Sequence, residues 1–569
     1  MCGIVGYNFQ DKELLKKMMH SLSHRGPDQR GGVVTKDFSL GHQRLSIIDL
    51  SKKGKQPMCN EEGDKWIVFN GEIYNFKSIR EDLERRGHKF RSNTDTEVII
   101  HAYEEYGYDC VNHFNGMFAF AILDHKKLFI ARDHVGVKPI YYYFNNGRFI
   151  FASEIKALLE AGINAAVNYN SIDLLLTYRT VPGNETLFCN IKKLLPGHYL
   201  IFEDNEIISK SYYQPKIYER ENLNEDVLTN EFLELFKKSV ERMMVADVPV
   251  GAFLSGGLDS SCVVGMMCRL KGEVKTFTAG FNEEHDELEY AKKVAEHFNT
   301  DHHEVVISYD EMTKSFDDVV YHMDEPIADP ASFPVCFVSK LAREKVKVAL
   351  FGEGADELFA GYEKYKILNE YFFPLRRYLQ TDKLLTSGRK KIYPYHNGSN
   401  VDSVMGNYFH KNWNLNNALL FDFKEILPNF QLMKVDKMTM MHSLEGRVPF
   451  LDREIVDFAF NLPLKYKLNN GVGKYIIRKA MKDIIPKEIA FGEKRVFFTP
   501  LKKWFDNGLR DVAIERFEKT ELFNKRNILK LLNKESNSLR RYKYSNQLWS
   551  LLMIESWFGK FIKEDKVVI

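Results

Sequence analysis

The hydrophobic positions follow two different patterns along this chain. In its N-terminal third they form short runs that alternate with polar residues, at 117–122, 128–131, 139–143 and 149–154. Such runs predict β-strands packed in layers. Further on, apolar runs predict strands at 248–253, 275–281, 304–307 and 346–351, and helical spacing predicts helices at 262–267 and 290–298. This alternation of strands and helices predicts a parallel sheet with helices on both faces.

A polar stretch separates the two patterns. Between about residues 202 and 224 the periodicity is lost and the chain becomes charged and polar, which is typical of a domain junction. Helical spacing returns at 228–243, and the segment 548–561 predicts a final packed helix. Because 569 residues are too many for one core, we predict domains at 1–205 and 225–569.

Composition narrows the class of protein. The hydrophobic fraction of 44% and the charged fraction of 28% are those of an ordinary globular protein. A net charge of +2 does not favour a nucleic-acid or membrane surface. The seven cysteines are scattered, odd in number and without a CxxC pair, which favours a reducing compartment. Without a basic leader or a membrane-length apolar run, the expected location is cytoplasmic.

One loop carries the clearest phosphate-binding signal. Residues 254–261 read Leu-Ser-Gly-Gly-Leu-Asp-Ser-Ser, directly after a predicted strand and before a predicted helix. Gly256 and Gly257 allow the backbone to approach a ligand closely, and the helix start favours an anion. Asp259 would repel a phosphate, so it suggests a bridging Mg²⁺. No Lys-Ser or Lys-Thr pair follows the glycines, so this is not a Walker loop.

Two further motifs supply charged groups that could act beside this phosphate-binding loop. Residues 352–357 read Gly-Glu-Gly-Ala-Asp-Glu and follow the predicted strand at 346–351, where ligands of parallel sheets bind. Asp356 offers a second Mg²⁺ ligand, and Glu353 could orient or polarise a reacting acyl group. Lys474 follows glycines near a helix start, and there a cation would stabilise charge on an α-phosphate. Each motif alone also fits a capping loop or a solvated lysine.

The N-terminus carries a second candidate site. Cys2 directly follows the initiator Met, and removal of Met1 would place its thiol beside its own α-amine. An amine with a pKa of about 7.7–8.0 is a suitable base for a thiol nucleophile. Taken alone, Cys2 fits a small buried residue on a first strand equally well.

Polar motifs behind Cys2 supply the remaining groups that amide hydrolysis needs. Asn70 and the Gly71 amide can donate to an oxyanion, Arg44 can pair with an α-carboxylate, and Asp95 can bind an α-ammonium. Each motif also has a local interpretation, because Asn-Gly marks turns and the Thr-Asp-Thr-Glu run at 94–97 can cap a helix. Arg132 and Asp133 are expected to be structural.

Taken together, these motifs resemble known families. The order Cys2, His-Arg-Gly-Pro-Asp at 24–28, Arg44, Asn-Gly-Glu at 70–72 and Asp95 resembles the class II glutamine amidotransferase domain. The loop at 254–261 resembles the pyrophosphate loop of ATP pyrophosphatases, which implies AMP and pyrophosphate as products. With residues 445–452 and Lys474, nearly the whole chain resembles the glutamine-hydrolysing asparagine synthetase family.

This resemblance implies a fold and a set of site residues. The fold would be an α+β four-layer αββα sandwich of the N-terminal nucleophile type, followed by a doubly wound α/β parallel sheet of the ATP pyrophosphatase type with extra helices. The implied catalytic residues are Cys2, Asn70, Gly71, Glu353 and Lys474. The implied glutamine-binding residues are Arg44, Leu45, Ser46, Ile47, Ile48, Asn70, Gly71, Glu72 and Asp95. The implied ATP-binding residues are Leu254, Ser255, Gly256, Gly257, Leu258, Asp259, Ser260, Ala279, Phe351 and Gly352, with Asp259 and Asp356 as the Mg²⁺ ligands.

The resemblance also implies a reaction. Cys2 would release ammonia from glutamine, ATP would adenylate the aspartate side chain, and ammonia crossing an internal tunnel would convert β-aspartyl-AMP into asparagine. A homodimer is a further family expectation. The acceptor is left open, because relatives amidate diaminopimelate or sugar uronates. A β-lactam-forming cyclase and a catalytically dead protein fit less well, since Cys2, Asp259, Glu353, Asp356 and Lys474 are all present. Val496 stands where many relatives have glycine, which leaves the contacts of 494–500 in doubt.

Overall fold

The computed structural model describes residues 2–218, 220, 224–283, 286–370, 389–395, 404, 408, 414–492, 499–537 and 541–562. Its N-terminal third is built from strands and a few helices. The strands are β1 (Gly3–Tyr7), β2 (Gln29–Val34), β3 (Ser39–Arg44), β4 (Met58–Cys59), β5 (Lys65–Ile73), β6 (Gly116–Asp124), β7 (Lys127–Arg132), β8 (Tyr141–Asn145), β9 (Arg148–Ala152), β10 (Ile191–Lys193), β11 (His198–Glu203) and β12 (Glu206–Ser211). The helices are α1 (Lys12–Ser21), α2 (Phe76–Arg85), α3 (Asp95–Tyr106), α4 (Ile155–Glu160) and α5 (Tyr169–Tyr178).

These strands form two six-stranded antiparallel sheets. Their orders are β10-β8-β9-β1-β3-β2 and β12-β11-β7-β6-β5-β4. Alternation along β5 explains the layering, because Val68 packs between the sheets whereas Ile67 and Phe69 pack on the other face with Ile99 of α3. Helices α1 and α4 contact the first sheet, and α3 contacts the second. The predicted αββα sandwich is therefore confirmed.

The polar stretch after residue 202 contains one element that the pattern does not predict. Strand β12 pairs with β11 at the edge of the second sheet, from Glu203 opposite Glu206 to His198 opposite Ser211. Most of its residues are exposed, so no apolar face alternates along it and no strand signal arises. The sheet consequently continues to Ser211, beyond the predicted boundary at residue 205.

The rest of the chain builds a parallel sheet surrounded by helices. Its strands are β13 (Val250–Phe253), β14 (Lys275–Gly280), β15 (Asp301–Val306), β16 (Val348–Leu350) and β17 (Glu445–Arg447), and a short hairpin joins β18 (Leu468–Asn469) to β19 (Val472–Gly473). The helices are α6 (Glu225–Met243), α7 (Leu258–Lys271), α8 (Glu287–Phe298), α9 (Tyr309–Met323), α10 (Ser332–Arg343), α11 (Ala355–Leu358), α12 (Glu363–Glu370), α13 (Arg389–Ile392), α14 (Leu415–Phe421), α15 (Gln431–Met440), α16 (Arg453–Asn461), α17 (Leu464–Lys467), α18 (Tyr475–Met481), α19 (Lys487–Ala490), α20 (Leu501–Trp504), α21 (Arg510–Glu518), α22 (Lys525–Asn537) and α23 (Arg541–Phe561). Within the described part of the chain, no helix combines the length and apolarity that crossing a bilayer requires.

The strand order of the parallel sheet determines where a ligand can bind. The order is β15-β14-β13-β16-β17, with every neighbouring pair parallel. From β13 the chain adds β14 and β15 on one side, and then returns to place β16 on the other. Ligands of doubly wound sheets bind at the carboxyl ends of the strands beside such a reversal. The loops after β13 and β16 are therefore neighbours, and the predicted parallel α/β fold is confirmed.

Buried ion pairs hold the two parts of the chain together. The guanidinium of Arg25 lies 2.7 Å from Glu154 and 2.9 Å from Asp436. Lys156 lies 2.7 Å from Asp324, and all five side chains are at most 3% exposed. Removing one partner from a buried pair leaves an uncompensated charge, which is strongly destabilising. These directed contacts therefore set how the N-terminal sandwich sits on the parallel sheet.

Candidate active sites

The loop between β13 and α7 forms one wall of a cleft. Gly256 has a φ of +70°, and a Cβ at this position would lie 2.5 Å from the Tyr290 carbonyl carbon, so only glycine fits. The Ser255 and Ser260 hydroxyls lie 3.0 Å apart, and the Gly257 amide donates to Ser255 Oγ over 3.3 Å. The hydroxyls thus brace the turn and leave the start of α7 facing the cleft, where its dipole favours an anion.

The structure brings the predicted ATP-binding residues together. The cleft has a volume of about 650 Å³. Its lining includes all ten of them, namely Leu254, Ser255, Gly256, Gly257, Leu258, Asp259, Ser260, Ala279, Phe351 and Gly352. Glu353, Asp356 and Lys474 line the same cleft. The sequence separation between these groups exceeds two hundred residues, so the reversal at β13 is what assembles them.

A lysine lies between the two predicted metal ligands. Lys474 Nζ is 2.5 Å from Asp259 Oδ2 and 2.7 Å from Asp356 Oδ1. Burial disfavours the charged lysine, but the two carboxylates outweigh it and raise the pKa of Lys474. Gly361 permits this approach, because a Cβ there would lie 1.9 Å from Asp356 Oδ1. The two carboxylates therefore converge on a single cation position.

The cleft also contains a buried cation that sequence reasoning missed. Lys434 on α15 lines the cleft and lies 2.9 Å from Asp329. Burial raises the pKa of Glu353, and the charge on Lys434 opposes that rise. A single lysine in an ordinary helical pattern carries no sequence signal for this role, although the neighbouring Asp-Lys pair at 436–437 marks the helix as unusually polar for its burial.

The acidic loop at 323–332 places its carboxylates in two different surroundings. Asp324 belongs to the buried ion pairs between the two parts of the chain, and Glu325 accepts a hydrogen bond from the Leu187 amide over 2.6 Å. Asp329 alone reaches the cleft, through Lys434. Most of this loop therefore serves the contact with the N-terminal sandwich.

The second site surrounds Cys2. Cys2 is buried, and burial raises the pKa of its thiol while the nearby N-terminal charge lowers it. Its backbone nitrogen donates to Asn70 Oδ1 over 3.0 Å. Asn70 is fully buried on β5, and its Nδ2 is one of the buried polar atoms without a partner in the described part of the chain. An unpaired buried donor is costly, so this amide is ready to serve an incoming acceptor.

The neighbours of Asn70 shape an acidic pocket. A Cβ on Gly71 would lie 2.1 Å from the Met117 carbonyl oxygen, so the close pairing of β5 with β6 requires glycine. Burial raises the pKa of Glu72 well above its usual range, and Asp95 adds to that rise. Burial also raises the pKa of Asp95 to about 6, and its Oδ2 accepts from the Ile73 amide over 2.9 Å. Two buried carboxyls thus lie close to Cys2 and Asn70.

The predicted glutamine-binding loop at 45–48 is closed by Arg44. Its guanidinium donates to Gln29 Oε1 and to the carbonyls of Ile48, Asp49 and Ser51, over 2.7–3.2 Å. A backbone hydrogen bond from Leu45 opposes the rise that burial causes in the pKa of the Cys2 thiol, so this loop lies beside the thiol. Glutamine binding by residues 45–48 stays a prediction. Pairing of Arg44 with a substrate carboxylate stays a prediction. The guanidinium would have to donate to that carboxylate as well as to the oxygens it already binds.

Arg447 joins the acidic pocket to the parallel sheet. It is fully buried on β17, with Nη2 3.7 Å from Glu72 Oε2 and Nε 2.7 Å from Glu445 Oε1. Its carbonyl accepts from the Phe351 amide, which lines the ATP cleft, over 2.8 Å. Arg447 is therefore a buried ion-pair residue. The expected structural role of Asp133 is confirmed, since its carboxylate accepts from the amides of 135–138.

Comparison with known proteins identifies the class of this chain. The model of the glutamine amidotransferase domain matches residues 1–213, and that of asparagine synthase matches residues 231–559. The chain is 34% identical to asparagine synthetase (glutamine-hydrolyzing) 1 of Bacillus subtilis (strain 168), over 98% of this chain and 96% of that protein. It is 32% identical to asparagine synthetase (glutamine-hydrolyzing) 3 of the same organism, over 100% of this chain and 97% of that protein. A glutamine amidotransferase domain is thus joined to a synthase domain. The chain belongs to the asparagine synthase family.

One predicted departure from relatives lies largely outside the described residues. Of the segment 494–500, the structure describes Thr499 and Pro500. Val496, which stands where many relatives have glycine, lies outside the described residues.

Proposed function

We propose that this chain is an ATP-dependent ligase that transfers the amide nitrogen of glutamine to the side-chain carboxylate of aspartate. The products would be asparagine, glutamate, AMP and pyrophosphate. Membership of the asparagine synthase family supports both the amide donor and the use of ATP. Amidation of another carboxylate, such as diaminopimelate or a sugar uronate, is the alternative, and the relatives named above do not favour it.

The first half-reaction would take place at Cys2. After removal of Met1, the nitrogen that donates to Asn70 Oδ1 becomes an α-amine able to accept the thiol proton. The thiolate would attack the glutamine amide, and the oxyanion would receive hydrogen bonds from Asn70 Nδ2 and the Gly71 amide. Ammonia would leave with that proton, and water would then hydrolyse the γ-glutamyl thioester.

The second half-reaction would take place in the ATP cleft. The aspartate side chain would attack the α-phosphorus of ATP, and pyrophosphate would leave into the cradle formed by residues 254–261. Lys474 would stabilise the charge that builds on the phosphate oxygens. Glu353, which lines the same cleft, would orient the acyl-adenylate as ammonia attacks.

The residues around Lys474 fit a bound Mg²⁺. Asp259 and Asp356 supply carboxylate oxygens, the donors that Mg²⁺ prefers, and both already converge on one cation. When bound with ATP, Mg²⁺ would neutralise phosphate charge and favour departure of pyrophosphate. Lys474 would then turn from the carboxylates towards the phosphates.

Ammonia must travel from Cys2 to the cleft as neutral NH₃, because ammonium is not a nucleophile. The residues that join the two sites are buried, with Arg447 linking Glu72 to the sheet beside Phe351. A passage along this interface would exclude water and prevent protonation in transit.

We also propose a cytoplasmic homodimer. The seven cysteines, all in the described part of the chain, are free thiols, as expected in a reducing compartment.

The single observation that carries the proposal is the unpartnered Asn70 amide beside Cys2. A buried donor without an acceptor serves no structural purpose, but it is what a transient oxyanion requires. The same chain places a lysine between two acidic side chains below a glycine-rich phosphate loop. The first group would support release of ammonia, and the second would support activation of a carboxylate.

The test is a product assay with purified protein, ATP, Mg²⁺, glutamine and aspartate. We expect asparagine and AMP in equal amounts. Cys2→Ala should make asparagine only when ammonia replaces glutamine. Glutamate without asparagine or AMP would refute aspartate as the acceptor, and diaminopimelate and sugar uronates would be tested next. Unchanged glutamine-dependent synthesis by Cys2→Ala would refute the role of the thiol.

A further inference from the structure

A cluster of histidine and glutamate side chains lies in the amidotransferase domain, apart from the two proposed reaction sites. His101 on α3 is only 1% exposed, and its Nδ1 is 2.8 Å from Glu104 Oε2. His88, on the loop after α2, places Nδ1 3.8 Å from the same oxygen. The donor atoms of these three residues all lie within 4.8 Å of one another. Glu61 Oε2 is a fourth donor atom, 3.7 Å from His101 Nδ1.

These distances are close to those of a metal coordination sphere. A tetrahedral Zn²⁺ with bonds of about 2.0–2.2 Å to nitrogen and oxygen holds its donors roughly 3.3–3.6 Å apart. Three of the distances between donor atoms in the cluster, 2.8, 3.8 and 3.7 Å, bracket that value. The donors of His88, His101 and Glu104 all lie within 4.8 Å of one another, so binding one ion would draw them closer together.

A second layer of hydrogen bonds orients the donors inward. Asn60 Nδ2 binds Glu104 Oε1 over 2.7 Å, and the Lys89 amide binds Glu61 Oε1 over 3.2 Å. Each carboxylate therefore directs its other oxygen towards His101. On the far side of the ring, His101 Nε2 lies 3.9 Å from Glu97 Oε1. A carboxylate behind a histidine is the usual support of a metal-bound imidazole.

We propose that His88, His101 and Glu104, with Glu61 as a fourth ligand, form a binding site for a divalent transition-metal ion, of which Zn²⁺ is the best fit. Imidazole nitrogens together with carboxylates select Zn²⁺ over Mg²⁺, which prefers oxygen ligands alone. The ion would join the loop before β5, the loop after α2 and the middle of α3.

The alternative occupant of this cluster is a proton. The contact between His101 Nδ1 and Glu104 Oε2 is 2.8 Å long, so a proton can hold this pair together. It leaves Glu61 Oε2 3.7 Å from His101 Nδ1 and His88 Nδ1 3.8 Å from Glu104 Oε2, both beyond hydrogen-bond distance. A divalent ion would bind all four groups.

Binding of the ion would order helix α3 beside the amidotransferase site. Helix α3 begins at Asp95, one of the predicted glutamine ligands, and carries both His101 and Glu104. An ion that holds the middle of α3 stabilises the native state by mass action. The proposal does not depend on the identity of the reaction, since it concerns metal binding by residues outside both sites.

The test is calorimetric titration with ZnCl₂ of full-length protein that has been dialysed against a chelator, in excess Mg²⁺. Wild type is expected to bind one more equivalent of Zn²⁺ than His88→Ala. His88 is suited to the test because its side chain is 17% exposed, so its removal leaves the core intact. Glu104→Gln should weaken the same binding event at least tenfold.

The chain offers a matched control. Asp64, Asp124 and His125 form a second group with metal-like spacing, but His125 is 73% exposed. His125→Ala should bind as many equivalents as wild type. Co²⁺ bound in place of Zn²⁺ should give visible d–d bands without a thiolate charge-transfer band, because no cysteine takes part. Equal stoichiometry in wild type and His88→Ala, or loss of the equivalent in His125→Ala alone, would overturn the proposal.

Discussion

Replacing Asn70 by alanine tests the proposed oxyanion site most directly. The substitution removes two polar atoms with different functions. The Oδ1 atom accepts from the Cys2 nitrogen over 3.0 Å, whereas Nδ2 is the buried amide without a partner in the described residues. The Oδ1 atom positions the nucleophile, and the Nδ2 atom is available to a reacting substrate. Their loss should therefore slow the chemistry of glutamine more than it weakens glutamine binding.

The expected magnitude follows from the number of donors removed. One oxyanion donor of two is lost, which typically costs about 10²–10³ in kcat, or ~2.7–4 kcal/mol. Asn70→Asp separates the two contacts, because a carboxyl group retains an acceptor for the Cys2 nitrogen but has no amide donor. If the donor dominates, both variants should fall by a similar factor. If positioning of Cys2 dominates, Asn70→Asp should keep most of the activity.

Two assays on the same preparation distinguish these outcomes from misfolding. Glutamate release from glutamine measures the first half-reaction, and asparagine formation from added ammonia measures the second. Asn70→Ala should lose the first and keep the second within about twofold, because the ATP cleft belongs to the other domain. A glutaminase rate within about threefold of wild type would refute the oxyanion argument, since it lies below the effect of any single donor.

Two further predictions concern the charged residues. Lys474→Met should reduce synthesis by more than about 10²-fold with either nitrogen source, while glutamate release persists; equal loss of glutaminase activity would instead indicate unfolding. The raised pKa of Asp95, about 6 against an ordinary 3.8, means that its contribution to stability is complete below about pH 4 and is lost as the pH rises through about 6. Asp95→Asn, which can still accept from the Ile73 amide, should remove the share of Asp95 in the fall of the free energy of unfolding with rising pH. It should raise that free energy near pH 7 by on the order of 3 kcal/mol and lower only glutamine-dependent synthesis. Urea unfolding at acid and neutral pH checks this, and an unchanged slope would contradict it.

Much of the fold could be predicted because its elements bury one face. Strands such as β6 and β7 alternate between two cores, and α6 presents an apolar stripe, so their periods are visible in the sequence. Strands β12 and β17 could not be predicted from the hydrophobic pattern. The first is exposed at a sheet edge, and the second consists of Glu, Gly and Arg. Neither has an apolar pattern, because pairing with a neighbouring strand decides its structure.

The sequence by itself determined the chemistry available to this protein. Cys2, the Asn-Gly-Glu run at 70–72, the loop at 254–261 and Lys474 are local signals, since each depends on residue types at short spacing. Only the tertiary structure decided which groups act together. Lys474 meets Asp259 and Asp356 because the strand order reverses at β13. Lys434 enters the same cleft, where it pairs with Asp329. Arg447 reaches Glu72 where the two domains bury their charges against each other. Local spacing specifies what a residue can do, but burial and long-range pairing determine its partners and, through them, its charge.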